Sequence, residues 1–135
     1  MSCDELIVDN LDALDILKNK TICDSGSNDN GDYIKFSNGV MICCGKTTTD
    51  ILTWTKDSTI YYSRNHELPD FLEPFKEPPR VLKTIEHMNT PSRHIWITGN
   101  SAPTTTNPGT FNLATYWSAT DTKCTITYFA IGKWK

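Results

Sequence analysis

The chain has 135 residues, enough for one domain, and 38% of them are hydrophobic. That is a thin core, to which a subunit partner can add burial. A net charge of −3 with acids and bases interspersed excludes an electrostatic draw to nucleic acid or to an anionic membrane surface. No apolar run approaches the ~20 residues that span a bilayer.

The opening MSCDELIVDN is acidic and lacks the basic-then-apolar order of a signal peptide, so synthesis is expected in the cytosol. Residues Asp4 to Lys20 form the one helix candidate. Ile7, Leu11, Leu14 and Leu17 make a single stripe, and Lys18 and Lys20 suit a C-terminal turn. A helix of this length with one stripe is marginal alone and needs a partner, either the domain or copies of itself. Residues 1–22 are therefore read as one N-terminal helical segment. The run CDSGSNDNGD from Cys23 holds turn formers and polar residues, so 23–30 is read as a linker. A β-sandwich is expected over 31–135.

The clearest local signal is GDYIKFSNGVMICCG. Asn38-Gly39 between two alternating runs predicts a hairpin with a type I′ turn, positive φ at both central residues and Phe36 facing Met41. One face would then carry Ile34, Phe36, Met41 and Cys43. The other would carry Tyr33, Lys35, Val40, Ile42 and Cys44, still largely apolar. One buried face per strand suffices in a sandwich, so the second predicts cover from a neighbouring subunit.

Further strands are expected at Thr59–Arg64, Arg80–His87, His94–Gly99, Gly109–Ser118 and Lys123–Trp134. Glu67–Pro79 holds four of the seven prolines and is neither helix interior nor central strand. Asn100–Pro108 reads as a polar loop. Six or seven short strands without intervening helices predict an antiparallel β-sandwich. The five cysteines, 3, 23, 43, 44 and 124, include no C-x-x-C pair and are read as reduced, small apolar residues.

Two of these motifs resemble the C-terminal receptor-binding domain of phage tail-fibre proteins. YIKFSNGVMICCG (Tyr33 to Gly45) resembles its opening hairpin, and YFAIGKW (Tyr128 to Trp134) is similar to its closing strand. Leu68-Pro69 and Phe71–Val81 look like its proline-rich passage. Where that family often has Gln-Trp before the glycine ending the second strand, this chain has Cys43-Cys44. The resemblance covers roughly residues 31 to 135. It implies a six-stranded, H-type-lectin-like sandwich, a parallel homotrimer with residues 1–22 as the end of its shaft or a trimerising stalk, a place at the tip of a fibre on the virion, and adhesion to bacterial surface glycans.

No catalytic pattern stands out, so no enzyme activity, metal or other cofactor is expected. His66, His87 and His94 are scattered without metal-ligand spacing. Asp70, Glu73 and Glu77 cluster in the proline-rich passage, where a solvated loop face is the commoner meaning than a glycosidase pair. Sugar recognition combines flat apolar rings with polar groups for the hydroxyls. Three segments carry this mix and supply the candidate ligand-binding residues: Tyr62, Arg64, Asn65 and His66; Arg93, His94 and Asn100, with Trp96 between them; and Asn112, Tyr116 and Trp117. The alternative for Trp96, Trp117 and Trp134 is that they fill the sandwich interior. The alternative at the level of function is a structural trimerisation or capping module of a fibre, with no ligand of its own.

Overall fold

The computed structural model describes residues 21–89, 94–117 and 121–135; the predicted stalk helix lies outside them. Nine strands are described: β1 Ile22–Asn28, β2 Gly31–Phe36, β3 Val40–Thr48, β4 Thr55–Asp57, β5 Ile60–His66, β6 Arg80–Met88, β7 Ile95–Asn100, β8 Phe111–Thr115 and β9 Cys124–Lys133. They form two sheets, in the orders β1-β2-β3-β9-β6 and β4-β5-β8-β7, with every pairing antiparallel. The all-β antiparallel expectation holds. The two additional strands, β1 and β4, are polar edge strands without the apolar alternation that marks a strand in sequence.

β1 corrects the linker reading of 23–30. The strand form is dictated by backbone pairing with β2, from Ile22 opposite Phe36 to Asn28 opposite Gly31. The turn residues do their work at its end, where the Asn28 side chain accepts a hydrogen bond from the Asn30 N–H at 2.7 Å.

The hairpin forms at Asn38-Gly39, but its register is one residue from the expected one. Lys35 faces Met41, Ile34 faces Ile42 and Tyr33 faces Cys43. The reason is the turn. Gly39 has φ +92° while Asn38 keeps a negative φ, and the Gly39 N–H donates to the Phe36 carbonyl at 3.0 Å. A three-residue loop of this kind has one left-handed residue, not two. A one-residue slip turns every side chain of a strand to the other face. Tyr33 and Lys35 therefore share the inward face with Met41 and Cys43, and Ile34 and Phe36 lie on the outward face.

The core lies between the sheets. Met41, Cys43, Cys124, Ile126, Tyr128 and Ala130 come from the five-stranded sheet, and Phe111 and Leu113 from the other. The proline-rich passage covers one side of this core with Leu68, Phe71 and Phe75, the two phenylalanine rings edge to face at 4.9 Å. Its backbone is tied to the Thr-rich loop through Phe71 N–H to Thr106 O and Phe75 N–H to Thr105 O, both 2.9 Å. Asn107 joins the two loops by donating to Asp70 at 2.8 Å and to the Leu68 carbonyl at 3.3 Å. Trp134 packs against the core and donates from its indole N–H to the Phe36 carbonyl at 2.9 Å, closing the hairpin end of the sheet. Cys43, Cys44 and Cys124 are free thiols. Cys23 is disulfide-bonded, a correction to the reading of all five as reduced; spacing in sequence does not show which sulfurs a fold brings together.

Candidate functional site

The outward face of the four-stranded sheet gathers most of the predicted ligand-binding residues. Register places Tyr62, Ala114 and Trp96 side by side across β5, β8 and β7. Their chain neighbours Ser63, Leu113 and Ile97 point into the core, so alternation turns this row outward. Ala114, between two large rings, is fully covered.

The rings continue past the end of β8. Trp96 and Tyr116 have centroids 5.1 Å apart, Tyr116 and Trp117 6.1 Å, and Trp117 and His94 5.9 Å. This makes an unbroken four-ring ladder, and its middle members are open to solvent, Tyr116 at 57% and Trp117 at 50%. The His94 end is tethered by its carbonyl, which accepts from the buried Thr115 hydroxyl at 2.8 Å. The exposed apolar surface is thus built in, held by hydrogen bonding beneath it.

Polar groups adjoin the ladder. The Arg64 guanidinium lies over the Tyr62 ring at 4.5 Å and 3.7 Å from the Asp57 carboxylate. Asn112 stands one strand over, its Oδ1 accepting the Asn65 N–H at 2.9 Å. Pyranose recognition asks for this combination, with rings covering C–H faces and fixed donors and acceptors meeting hydroxyls.

Other predicted residues sit elsewhere or serve the fold. His66 faces the core, stacked on Phe111 at 5.2 Å with its Nε2 2.8 Å from the Ser63 hydroxyl, and burial lowers its pKa. Asn65 contributes its backbone, in a left-handed conformation with φ 63°. Arg93 and the side chain of Asn100 lie outside the described residues. The sequence admits Trp96 to either the site or the interior, and the structure places it in the ladder. Asp57 carried no signal, since nothing in TKD marks a strand that brings it to Arg64.

A second concavity, of about 280 Å³, lies between the outer edges of β6 and β7, lined by Lys83, Thr84, Ile85, Ile95, Trp96 and Ile97. The Lys83 ammonium donates to the Thr110 carbonyl at 3.2 Å. Among the described residues no three His, Cys, Asp or Glu side chains are grouped to hold a metal ion.

No family model matches this chain, and no curated protein does. Solved structures do match. The chain is similar to an N-truncated R1-type pyocin tail fibre over 95% of its own length and 98% of that chain, with a TM-score of 0.56 and 13% identity. It is also similar to a P. aeruginosa R1 pyocin fibre structure comprising C-terminal residues 323–701, with a TM-score of 0.51 and 14% identity, over 81% of this chain. It spans 28% of that longer structure. What is shared is the fold.

Proposed function

We propose that this domain is the receptor-binding tip of a phage or phage-like tail fibre, carried on the virion, and that it adheres to a bacterial surface glycan or another surface receptor without catalysis. The observation that carries this reading is the ladder of Trp96, Tyr116, Trp117 and His94, exposed on a sheet face next to Arg64, Asp57 and Asn112. Solvent-exposed rings held by structure beneath them suit a ligand with C–H faces. The fold likeness to pyocin tail fibres supports the setting. The same reading makes the domain a homotrimer of H-type-lectin-like sandwiches that needs no cofactor.

The test is binding to a broad panel of bacterial surface polysaccharides and to whole cells, with Trp117→Ala and Tyr116→Ala alongside the native chain. The expected result is binding that leaves the glycan intact and falls at least tenfold in each variant. A stacking contribution of about 0.5–1.5 kcal/mol, added to the apolar area each ring covers, sets that scale. Binding of nothing across panel and cells would favour a fibre cap, and release of reducing ends would make the domain a depolymerase.

A further inference from the structure

The outward face of the five-stranded sheet is built differently from the aromatic face. Two apolar rows cross it in register: Ile34, Ile42 and Ile131 across β2, β3 and β9, then Cys44, Phe129 and Leu82 across β3, β9 and β6. The inward neighbours Met41, Cys43, Tyr128 and Ala130 are fully or nearly fully buried, which fixes the direction of both rows. Leu82 is 74% exposed, Ile22 51%, Phe129 44% and Ile131 41%. Four of the seven large exposed hydrophobic residues among the described residues thus lie on one sheet face.

Several polar groups on this face already have partners. The Thr127 hydroxyl donates to Glu86 at 2.7 Å, Thr48 and Thr125 bond to each other at 2.9 Å, and Asp32 accepts from the Ser27 hydroxyl and the Cys44 thiol. Covering the face strands none of them. The charges on this face are mixed in sign, Asp32 and Glu86 with Lys46, Arg80 and Lys133, and none of Lys46, Arg80 and Lys133 forms an ion pair among the described residues. Apolar rows bordered by charges of both signs can meet copies of themselves, as in a closed ring of identical subunits. At ~4.8 Å between strands and ~3.3 Å per residue, five strands cover roughly 500 Å² in projection. That is the same order as the ~800 Å² each partner commonly buries in a stable complex.

We infer that copies of this chain meet through this face, leaving the aromatic face of the other sheet turned outward with one whole site per chain. The inference rests on the homotrimer in the reading above and adds the surface and its consequence for the site. The ligand site then does not straddle a subunit boundary.

The test is solution mass by light scattering on the full chain, with hydroxyl-radical footprinting of the same sample. Three 15.3 kDa chains give about 46 kDa. The native chain is expected at that mass, with Leu82, Phe129 and Ile131 protected and Tyr116 and Trp117 labelled. Leu82→Asp and Phe129→Asp should shift the mass to 15.3 kDa with the β-sheet circular dichroism retained. Leu82 is the safer variant, because its exposure means the single chain packs little against it. A monomeric native chain overturns the inference, whether residues 1–20 or a different protein covers the face. A trimer that survives a folded Leu82→Asp, or that protects Trp117 and labels Phe129, overturns it too. Ligand plays no part in these measurements, so a failed glycan panel leaves the interface standing, and a failed interface leaves the glycan reading open.

Discussion

Asn112 is held between two irregularities of backbone that face it from opposite sides. Its Oδ1 accepts the N–H of Asn65 at 2.9 Å, and its Nδ2 lies 2.8 Å from where a Cβ on Gly99 would stand. Asn65 and Gly99 have φ of 63° and 57°, and each falls where its strand, β5 or β7, slips register against β8. Two bulges on flanking strands are thus keyed to one side chain of the central strand, and bulges of this kind re-aim the residues beside them. Arg64 precedes one bulge and Thr98 the other, so the polar part of the candidate site inherits its geometry from Asn112.

Gly99→Val is therefore expected to be more damaging than Asn112→Ala. A β-branched residue meets a left-handed penalty of about 1–2 kcal/mol and must displace the carboxamide. Asn112→Ala leaves an N–H that water can reach and should cost about 1 kcal/mol. Urea midpoints of the two variants check the order, and equal midpoints would mean that the bulges stand without Asn112.

At Gly39 the penalty is purely conformational. With φ +92°, an added Cβ comes only to 3.4 Å from the Lys135 side chain, an ordinary contact. Melting temperature should fall in the order Gly, Asn, Ala, Val, because Asn tolerates positive φ better than Ala and Val resists it most. A Gly39→Val chain melting with the native one would remove the three-residue turn from the account.

Alternation and turn residues were enough to read the strands later seen as β2, β3 and β5 to β9, because apolar periodicity and glycine or proline punctuation are local. Register was not legible, since Asn38-Gly39 suits a two-residue I′ loop and a three-residue loop with one left-handed glycine equally. The choice is made by distant partners, among them the Trp134 indole on the Phe36 carbonyl and the Trp134 N–H on the Gly39 carbonyl at 2.9 Å. β1 and β4 were hidden because edge strands are held by backbone bonds that leave no mark on side-chain pattern. At the site, ring and polar types were readable in three segments, yet His66 and Phe111 come together only through β5–β8 pairing. Segment proximity alone therefore groups His66 with the ligand-binding candidates.

His66 gives a pH dependence of definite sign. Burial against Phe111 lowers its pKa below the ordinary value of about 6.5. The unfolded chain then binds the proton more readily, so the stability tied to neutral His66 is complete above about pH 6.5. It is lost as pH falls from there through the lower folded value. Thermal melts between pH 8 and pH 5 should show a steeper loss for the native chain than for His66→Gln. Parallel profiles would mean that the ring protonates without strain on the stack.

The adjacent thiols report both register and assembly. Burial pushes Cys43 and Cys124 up to about 11, whereas Cys44, on the outward face, is raised by partial burial and by the Asp32 carboxylate. Thiolate is the reacting form, so at pH 8 a thiol with a pKa near 11 reacts from roughly 0.1% of its population. Cys43 and Cys124 should resist a disulfide-exchange reagent until urea unfolds the chain. Cys44 lies in the apolar row between Ile42 and the polar end of β3, on the face assigned to subunit contact. Its labelling should be slow in the native assembly and faster in folded, monomeric Leu82→Asp, with Cys43 unchanged between the two. Mass spectrometry of the labelled peptides separates the neighbouring positions. Labelling of Cys43 ahead of Cys44 would reverse the faces of β3 and, with them, both the core and the interface drawn on it.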